Sequence, residues 1–306
     1  MLLVADIGGT NARVARVKDG ETAPSDTCSF VNAEYTCLED VICDYLNAFP
    51  TAAIEKIVVA VAGPVQANVG RLTNLNWVVD GGHLSERFGG AKVVVINDLT
   101  ALGYSALQLS AAQLQPIGEQ KHHHITDGQA LVVGIGTGFN VSPVIANNGT
   151  TICPPVEAGH MSLPLRVARA LDALTPGLAA NFDTVEDLFS GKGRRKFLSL
   201  RTGTDVPRAT PHIQRKGAPD NAGFDAALDE YAALIGHLLQ DLKTTYLPLA
   251  GIYLAGGVAR SSLIDERAAR CLDTYDAAGQ FVQSKIPLWI INEDAAALVG
   301  CRALAA

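Results

Sequence analysis

Two apolar segments of the chain each run into a glycine-rich turn and are followed by a second apolar segment. Residues 2–5 lead into Asp6-Ile7-Gly8-Gly9-Thr10, and residues 130–133 lead into Gly134-Ile135-Gly136-Thr137-Gly138. After the first turn, residues 12–17 alternate in side-chain character, which predicts the return strand of a hairpin. Recurrence of this unit about one domain length later predicts two related halves.

Short buried strands alternate with helices along the rest of the chain. The predicted strands are residues 57–61, 92–96, 252–255 and 287–291. The predicted helices are residues 38–49, 99–107, 224–246 and a last one from about Asp294. This alternation is typical of an α/β protein with a largely parallel sheet.

Composition excludes several classes of protein. At 306 residues the chain is long enough for two domains. No apolar run reaches the roughly 18 residues of a membrane span, and the N-terminus lacks the features of a signal peptide, so we expect a cytoplasmic protein. A net charge of −7 without a basic stripe makes nucleic acid an unexpected partner. The six cysteines show no zinc spacing and are expected to be reduced thiols in or near the core.

Glycine turns after strands let backbone N–H groups approach a phosphate, because no Cβ atom intervenes. A third turn of this kind is Ala255-Gly256-Gly257. The first two turns match neither the P-loop nor the dinucleotide fingerprint. Each alone is equally typical of a tight hairpin, but together they predict a polyphosphate site.

Two acidic residues lie at predicted strand ends. Asp6 precedes the first glycine turn, where a carboxylate would repel phosphates unless a divalent cation lay between them; this predicts Mg²⁺ held through water. Asp98 follows Asn97 at the end of another strand, where catalytic groups of open α/β sheets gather. The alternative for Asp98 is a helix cap.

The segment Glu157-Ala158-Gly159-His160 follows two prolines. A Glu-x-x-His pair can bind a metal on a regular helix, but the prolines and Gly159 argue against such a helix here. A carboxylate and an imidazole can instead hydrogen-bond neighbouring sugar hydroxyls.

At this point the chain resembles the bacterial glucokinase family, of the type separate from the repressor–kinase sugar kinases, whose zinc-binding cysteine cluster is absent from this sequence. The resemblance covers nearly the whole chain. The segments that carry it are, in order, Asp6 to Arg13, Gly63-Pro64, Thr73 to Trp77, Ile96 to Ala101, Gly136-Thr137-Gly138, Glu157 to His160, Glu186 before Leu188-Phe189-Ser190-Gly191, and Leu254 to Val258.

The resemblance implies an α/β protein of the actin-like ATPase (ribonuclease H-like) fold, with two domains and a cleft between them. The small domain would be residues 1–108, completed by the C-terminal helix within residues 292–306, and the large domain residues 109–291. The implied reaction is ATP-dependent phosphorylation of glucose at its 6-hydroxyl, with Mg²⁺ as cofactor. A cytoplasmic homodimer is also implied.

Roles for individual residues follow from the same resemblance. Asp98 would be the catalytic base. The sugar would be bound by Asn74, Asn97, Glu157, His160 and Glu186. ATP and its metal would be bound by Asp6, Gly8, Gly9, Thr10, Asn11, Arg13, Gly136, Thr137, Gly138, Gly256 and Gly257.

The sequence also departs from the family pattern. Phe139-Asn140 stands where the family has Leu-Gly, and Asn140 can adopt positive φ, which would preserve the turn. Ala158 replaces a glycine and Lys192 a proline. Two alternatives stay open: a kinase for another hexose such as mannose or an amino sugar, and a catalytically silent sugar-binding regulator.

Overall fold

In the computed structural model the chain divides into two units. The structure describes residues 1–18, 20–21, 23–51, 53–72, 75–119, 127–206, 222–277 and 285–305. Unit 1 consists of Met1–Ser110, Thr150–Pro154 and Glu293–Ala306, and unit 2 of Ala111–Gly149 and Pro155–Asn292.

Unit 1 is a five-stranded sheet flanked by helices, with a small three-stranded sheet beside it. Its strands are β1 (Leu2–Ile7), β2 (Asn11–Val17), β3 (Ser25–Val31), β4 (Lys56–Val61), β5 (Val65–Gln66), β6 (Val69–Arg71), β7 (Val78–Asp80) and β8 (Lys92–Asn97). Its first three helices are α1 (Leu38–Ala48), α2 (Gly81–Arg87) and α3 (Asp98–Ala106). The large sheet has the order β3-β2-β1-β4-β8, and the small one β5-β6-β7.

Strand β4 shows why the centre of this sheet is apolar on both faces. Alternate residues of a strand point to opposite faces. Ile57 and Val59 belong to the core cluster that contains the buried face of α1, whereas Val58 and Ala60 belong to the cluster that contains residues of the last helix of the chain. A strand covered on both faces reads as a near-continuous run of apolar residues, rich in Val and Ile.

The last helix of the chain packs directly on α3. We refer to this helix (Ala296–Ala305) as α10, in chain order. Gly300 of this helix is buried, and a Cβ atom there would lie only 1.7 Å from the carbonyl oxygen of Ala101. The absence of a side chain at Gly300 therefore sets the distance between the two helices.

We expect Gly300→Ala to lower the free energy of unfolding by about 1–3 kcal/mol, the usual cost of overpacking, although alanine is the better helix former. Thermal unfolding followed by circular dichroism would measure this. Gly223→Ala is the matched control, since no atom lies within 4 Å of a Cβ placed at that helical glycine. An unchanged Tm for Gly300→Ala would show that the two helices can separate at little cost.

Unit 2 is built around a second sheet. In chain order its strands are β9 (Leu114–Ile117), β10 (Gly128–Ile135), β11 (Phe139–Asn147), β13 (Gly251–Ala255) and β14 (Leu288–Ile291). A short strand, β12 (Thr150–Ile152), falls in the segment that is grouped with unit 1. The helices are α4 (Leu165–Leu174), α5 (Val185–Leu188), α6 (Gly191–Thr202), α7 (Ala222–Tyr246), α8 (Gly257–Ser262) and α9 (Glu266–Asp276).

The core of unit 2 lies between its sheet and the long helix α7. One apolar cluster joins Leu131 and Leu254 of the sheet to Tyr231 and Leu238 of α7 and to Cys271 of α9. All five are at most 1% exposed. The wide apolar face of α7 is therefore buried along its length, as the spacing of its apolar residues predicts.

The two sheets share one topology, which confirms the two related halves. In unit 1, β1 pairs with β2 antiparallel and with β4 parallel, and β4 pairs with β8 parallel. In unit 2, β10 pairs with β11 antiparallel and with β13 parallel, and β13 pairs with β14 parallel. Strand β9 adds an antiparallel edge on β14, which none of the strands described for unit 1 matches.

The strands and helices expected from the sequence are confirmed, with small shifts at their ends. The first strand continues two residues beyond the predicted end, to Ile7, and the strand predicted for residues 130–133 covers Gly128–Ile135. The final helix begins at Ala296 rather than near Asp294. None of the helices within the described ranges is long and apolar enough to cross a bilayer. The six cysteines form no disulfide with one another, and three of them are buried.

Candidate active site

The first glycine turn joins β1 to β2 and carries Asp6 at its start. The N–H of Gly8 donates to the carbonyl of Asn11 at 2.9 Å, which closes the turn. Asp6 lies opposite Arg13 in the strand register, and their side chains form an ion pair at 3.4 Å. The Asp6 side chain is only 14% exposed. The turn thus holds a carboxylate and a guanidinium side by side at the end of the sheet.

Asn32, which sequence reasoning did not single out, holds both ends of this turn. Its side-chain amide donates to the carbonyl of Gly8 at 2.8 Å, and its backbone N–H donates to the carbonyl of Thr10 at 2.9 Å. Asn32 is 2% exposed. It lies 24 residues beyond Gly8, and no local pattern in the sequence connects the two.

Asp98 is close enough to Asp6 for their charges to interact. Burial is the main cause that raises the pKa of Asp98, and the Asp6 carboxylate is the second; together they bring it to about 6. Burial also raises the pKa of Asp6, against the opposing effect of Arg13. Two carboxylates that share a partly buried site, one of them poised near neutral pH, are typical of catalytic centres.

The cap of helix α3 is Asn97, and Asp98 is the first helical residue. The Asn97 Oδ1 atom accepts from the N–H groups of Leu99 at 2.9 Å and Thr100 at 3.4 Å, while its Nδ2 atom donates to the carbonyl of Gly63 at 3.0 Å. The alternative in which Asp98 serves only as the cap is therefore wrong. Asp98 Oδ1 also accepts from the Leu99 N–H, at 2.8 Å, which orients its carboxylate.

The second glycine turn, in unit 2, joins β10 to β11. Its Gly136 carbonyl accepts from the N–H of Gly191, the first residue of α6, at 2.8 Å. The third turn lies beside it, because a Cβ atom at Gly256 would be 2.4 Å from the carbonyl oxygen of Ile135. Gly256 also has a φ of 96°, which favours glycine. Two of the three predicted phosphate turns are thus neighbours.

Glu186 lies directly against the second turn. Its Oε2 atom accepts from the N–H of Phe139 at 2.8 Å, and a Cβ atom at Gly138 would lie 2.6 Å from the same oxygen. Glu186 is the second residue of the short helix α5, whose N-terminus is capped by Thr184 and Asp187. Its carboxylate therefore serves the turn, and the helix start has its own capping residues.

The Glu157 segment packs on the same part of unit 2. After Glu157 the chain makes a 3₁₀ turn, Ala158–His160, so the regular helix is absent as expected. A Cβ atom at Gly159 would lie 2.3 Å from the carbonyl oxygen of Phe139 and 3.4 Å from Cβ of Glu186. Gly159 thus brings this segment against Glu186. The side chains of Glu157 and His160 are exposed, which leaves them open to a ligand.

Each unit therefore gathers part of the predicted site. Unit 1 brings together the first turn, Arg13 and the two aspartates, and unit 2 the second and third turns with Glu186 and the Glu157 segment. Asn74 lies outside the described residues. Within the described ranges, no group of three His, Cys, Asp or Glu side chains is arranged to hold a metal ion.

Comparison with known proteins decides the family. A family model described as Glucokinase matches residues 3–306. The chain belongs to the glucokinase family. Relatives include the glucokinase of Nitrobacter hamburgensis, 30% identical with 97% of this chain and 95% of the relative covered, and that of Caulobacter vibrioides, 30% identical with 97% and 93% covered.

Solved structures of glucokinases have the same fold. A glucokinase from an Antarctic psychrotroph is 25% identical, with a TM-score of 0.80 over 99% of this chain and 98% of that one. A glucokinase from Balamuthia mandrillaris in complex with glucose is 19% identical, with a TM-score of 0.71 over 100% of this chain and 93% of that one.

The departures from the glucokinase family pattern can now be placed. Asn140 lies in β11, paired with Gly134, and has no positive φ, so that suggestion was wrong. The turn closes through the N–H of Gly136, which donates to the carbonyl of Gly138 at 2.9 Å. Ala158 is buried, and Lys192 is an exposed residue in the first turn of α6, a position where proline and lysine are both accommodated.

Proposed function

We propose that the chain transfers the γ-phosphoryl group of ATP to the 6-hydroxyl of glucose, giving glucose 6-phosphate and ADP. The observation that carries the proposal is the pair of partly buried carboxylates at the first glycine turn, with the pKa of Asp98 raised to about 6. Membership of the glucokinase family supports glucose as the acceptor. Rival acceptors such as mannose or an amino sugar lack such support.

Asp98 is assigned as the base that accepts the proton of the 6-hydroxyl as the phosphoryl group transfers. The hydroxyl proton becomes acidic only as the new P–O bond forms, so placement of the carboxylate matters more than its basicity. The bond from the Leu99 N–H fixes that placement. A pKa of about 6 leaves Asp98 ionised at neutral pH and still a better proton acceptor than an ordinary aspartate.

Asp6 is assigned to Mg²⁺. The donor set fits this ion, because Mg²⁺ binds through one or two carboxylates together with substrate phosphates and retains several waters. The raised pKa of Asp6 fits as well, since a nearby cation would favour its ionised form. When bound, Mg²⁺ neutralises charge on the transferring phosphoryl group.

The phosphates of ATP are assigned to the three glycine turns. Gly9, Thr10 and Asn11 would offer backbone N–H groups from unit 1, and Thr137 and Gly138 from unit 2, with Gly256 and Gly257 beside them. The N–H groups of Gly8 and Gly136 close their own turns, so these two glycines would serve by letting the backbone approach the phosphates. The neighbouring second and third turns support one continuous surface of backbone donors in unit 2. Arg13, held by Asp6, would add positive charge.

The sugar is assigned to Asn97, Glu157, His160 and Glu186. A hexose offers several hydroxyls, each both donor and acceptor, and carboxylates with an imidazole can satisfy them. On the resemblance alone we also propose that a cleft separates the two units and that the sugar contacts residues of both. On the same ground we propose that the protein is a cytoplasmic homodimer.

Glu186→Gln is expected to lower kcat/KM for glucose by about 10–100-fold, because a carboxamide has a single oxygen and cannot accept from both the Phe139 N–H and a sugar hydroxyl. Steady-state kinetics over a range of glucose concentrations would measure this. Asp187→Asn is a matched control, since Asp187 caps α5 and should affect stability alone. Unchanged glucose kinetics for Glu186→Gln would remove it from the sugar site.

The proposed function is tested by ADP release from ATP with glucose, mannose and N-acetylglucosamine, with product identified by mass spectrometry. We expect the highest kcat/KM with glucose. Preference for another sugar would support the alternative kinase. If glucose binds but no ADP is released from ATP with any of the three sugars, the result would support the silent regulator and overturn the proposal.

A further inference from the structure

Asn140 stands where the family pattern has glycine, and every hydrogen-bonding group of its side chain has a partner. Its Nδ2 atom donates to the carbonyl of Val156 at 2.6 Å and to Oε2 of Glu157 at 3.1 Å. Its Oδ1 atom accepts from the N–H of Ala158 at 2.9 Å and from that of Val141 at 2.8 Å. Two donors and two acceptors thus exhaust the hydrogen-bonding capacity of one carboxamide.

These contacts fix the orientation of the amide. Rotation by 180° would place the NH₂ group against the N–H groups of Val141 and Ala158, and the oxygen against the carbonyl of Val156 and the carboxylate of Glu157. All four contacts would then be repulsive. The network therefore holds the backbone on both sides of Glu157 and one of its carboxylate oxygens at the same time, while the Glu157 side chain stays exposed to a ligand.

The internal repeat gives this position a counterpart. In unit 1 the residue opposite Asp6 in the strand register is Arg13, and in unit 2 the residue opposite Gly134 is Asn140. Arg13 contacts the acid of its own turn, Asp6. Unit 2 has glycine in place of that acid, so the equivalent side chain is free to reach an acid on another segment, Glu157.

We propose that Asn140 is a positioning residue that presents Glu157 to the sugar and thereby sets sugar affinity. The inference rests on the proposed function, in which Glu157 accepts from a sugar hydroxyl. One oxygen of Glu157 is held by Asn140, which leaves the other to the sugar. Without Asn140 the carboxylate would have to be ordered by the sugar itself, at a cost in affinity but not in the chemical step.

The test measures glucose dissociation constants by calorimetry and kcat by ADP release. Asn140→Ala should weaken glucose binding about tenfold and leave kcat within about threefold. Asn140→Asp keeps the acceptor for the Ala158 N–H but places a second carboxylate beside Glu157, so it should weaken binding further, by about a hundredfold. If Asn140 served only the fold, Asn140→Asp would be the milder variant.

Glu157→Gln removes the repulsion and completes the test. In that background, changing Asn140 to Asp should cost less than threefold in affinity, so the two effects should be far from additive. Asn181→Ala is the matched control, because the side chain of this asparagine also donates to a carbonyl in unit 2, that of Leu178, but does so within its own local turn.

Unchanged glucose affinity in Asn140→Ala or Asn140→Asp would overturn the inference, and so would a lower Tm with normal glucose affinity. The inference would also be wrong if both variants weakened glucose binding equally, or if the effects of Asn140→Asp and Glu157→Gln on glucose affinity were additive. These results leave the proposed function standing as long as the wild type phosphorylates glucose. A wild type that releases no ADP with glucose would overturn the proposed function itself, independently of how the variants bind.

Discussion

Asp98→Asn is expected to lower kcat by about 10²–10⁴-fold while glucose affinity stays within about tenfold. Asparagine keeps the shape of the side chain and an oxygen that can accept from the Leu99 N–H, but it cannot take the proton of the sugar hydroxyl. ADP release at saturating glucose and ATP would measure kcat, and calorimetry the affinity. Turnover near that of the wild type would remove Asp98 from the role of base.

The same residue predicts how activity depends on pH. Since the pKa of Asp98 is about 6, kcat/KM should be level above that value and fall about tenfold per pH unit below it, as protonation removes the base. The residual activity of Asp98→Asn should show no such step. A wild-type profile that stays flat between pH 5 and 7 would contradict the assignment.

The raised pKa has an opposite consequence for stability. The folded state binds the Asp98 proton more tightly than the unfolded chain does, because the pKa of this carboxyl is about 6 in the folded state and 3.8 in an unperturbed aspartate. Protonated Asp98 therefore stabilises the folded state at low pH, and this stabilisation is lost as pH rises through about 6. Asp98→Asn avoids the cost of an ionised, partly buried carboxylate. Its free energy of unfolding should therefore exceed that of the wild type at pH 8, by on the order of 1–3 kcal/mol, and the difference should shrink below pH 4.

The second large effect is expected at Asp6. Asp6→Ala should lower kcat/KM for MgATP by about 10²-fold or more, with the dissociation constant of glucose changed less than threefold, because the carboxylate assigned to the metal is lost. Initial rates at saturating glucose, over a range of MgATP concentrations, would measure the first quantity. Calorimetry without nucleotide would measure the second.

Asp80→Ala is the matched control for Asp6→Ala. Asp80 is another aspartate of unit 1, and its Oδ1 atom accepts from the N–H groups of Gly82 and His83 at the start of α2. Its loss should reduce stability by about 1 kcal/mol without changing the use of MgATP. If Asp6→Ala instead weakens glucose binding and leaves kcat/KM for MgATP unchanged, the roles of Asp6 and Asp98 have been assigned wrongly.

Features that depend on neighbouring residues could be predicted from the sequence. The sequence of strand β4 is an apolar run rich in Val and Ile because both its faces are buried, and the glycine turns stand directly after strands. Asp6 and Asp98 lie at strand ends, where topology alone brings functional groups to one edge of a sheet. The duplication of the fold could likewise be inferred from the recurrence of the strand–turn–strand pattern.

Features that depend on distant residues could not be predicted. The contact of Asn32 with Gly8, and that of Glu186 with Phe139, 47 residues apart, leave no periodicity in the sequence. Asn140 was misread for a related reason. An asparagine near a glycine turn suggests a backbone role, whereas its side chain binds a segment that follows only after β12.

The packing of α10 has a bearing on how the protein is made. Val4 near the start of the chain shares a buried cluster with Leu298 and Cys301 near its end. During synthesis on the ribosome, β1 emerges long before α10 and cannot be fully covered on that face until residues 296–305 have been translated. The residues of unit 2 lie between β1 and α10 in the sequence, so unit 2 can fold before α10 has been synthesised and unit 1 is complete. A nascent chain stalled before residue 296 would therefore expose the apolar face of β1 and β4, a surface that chaperones bind.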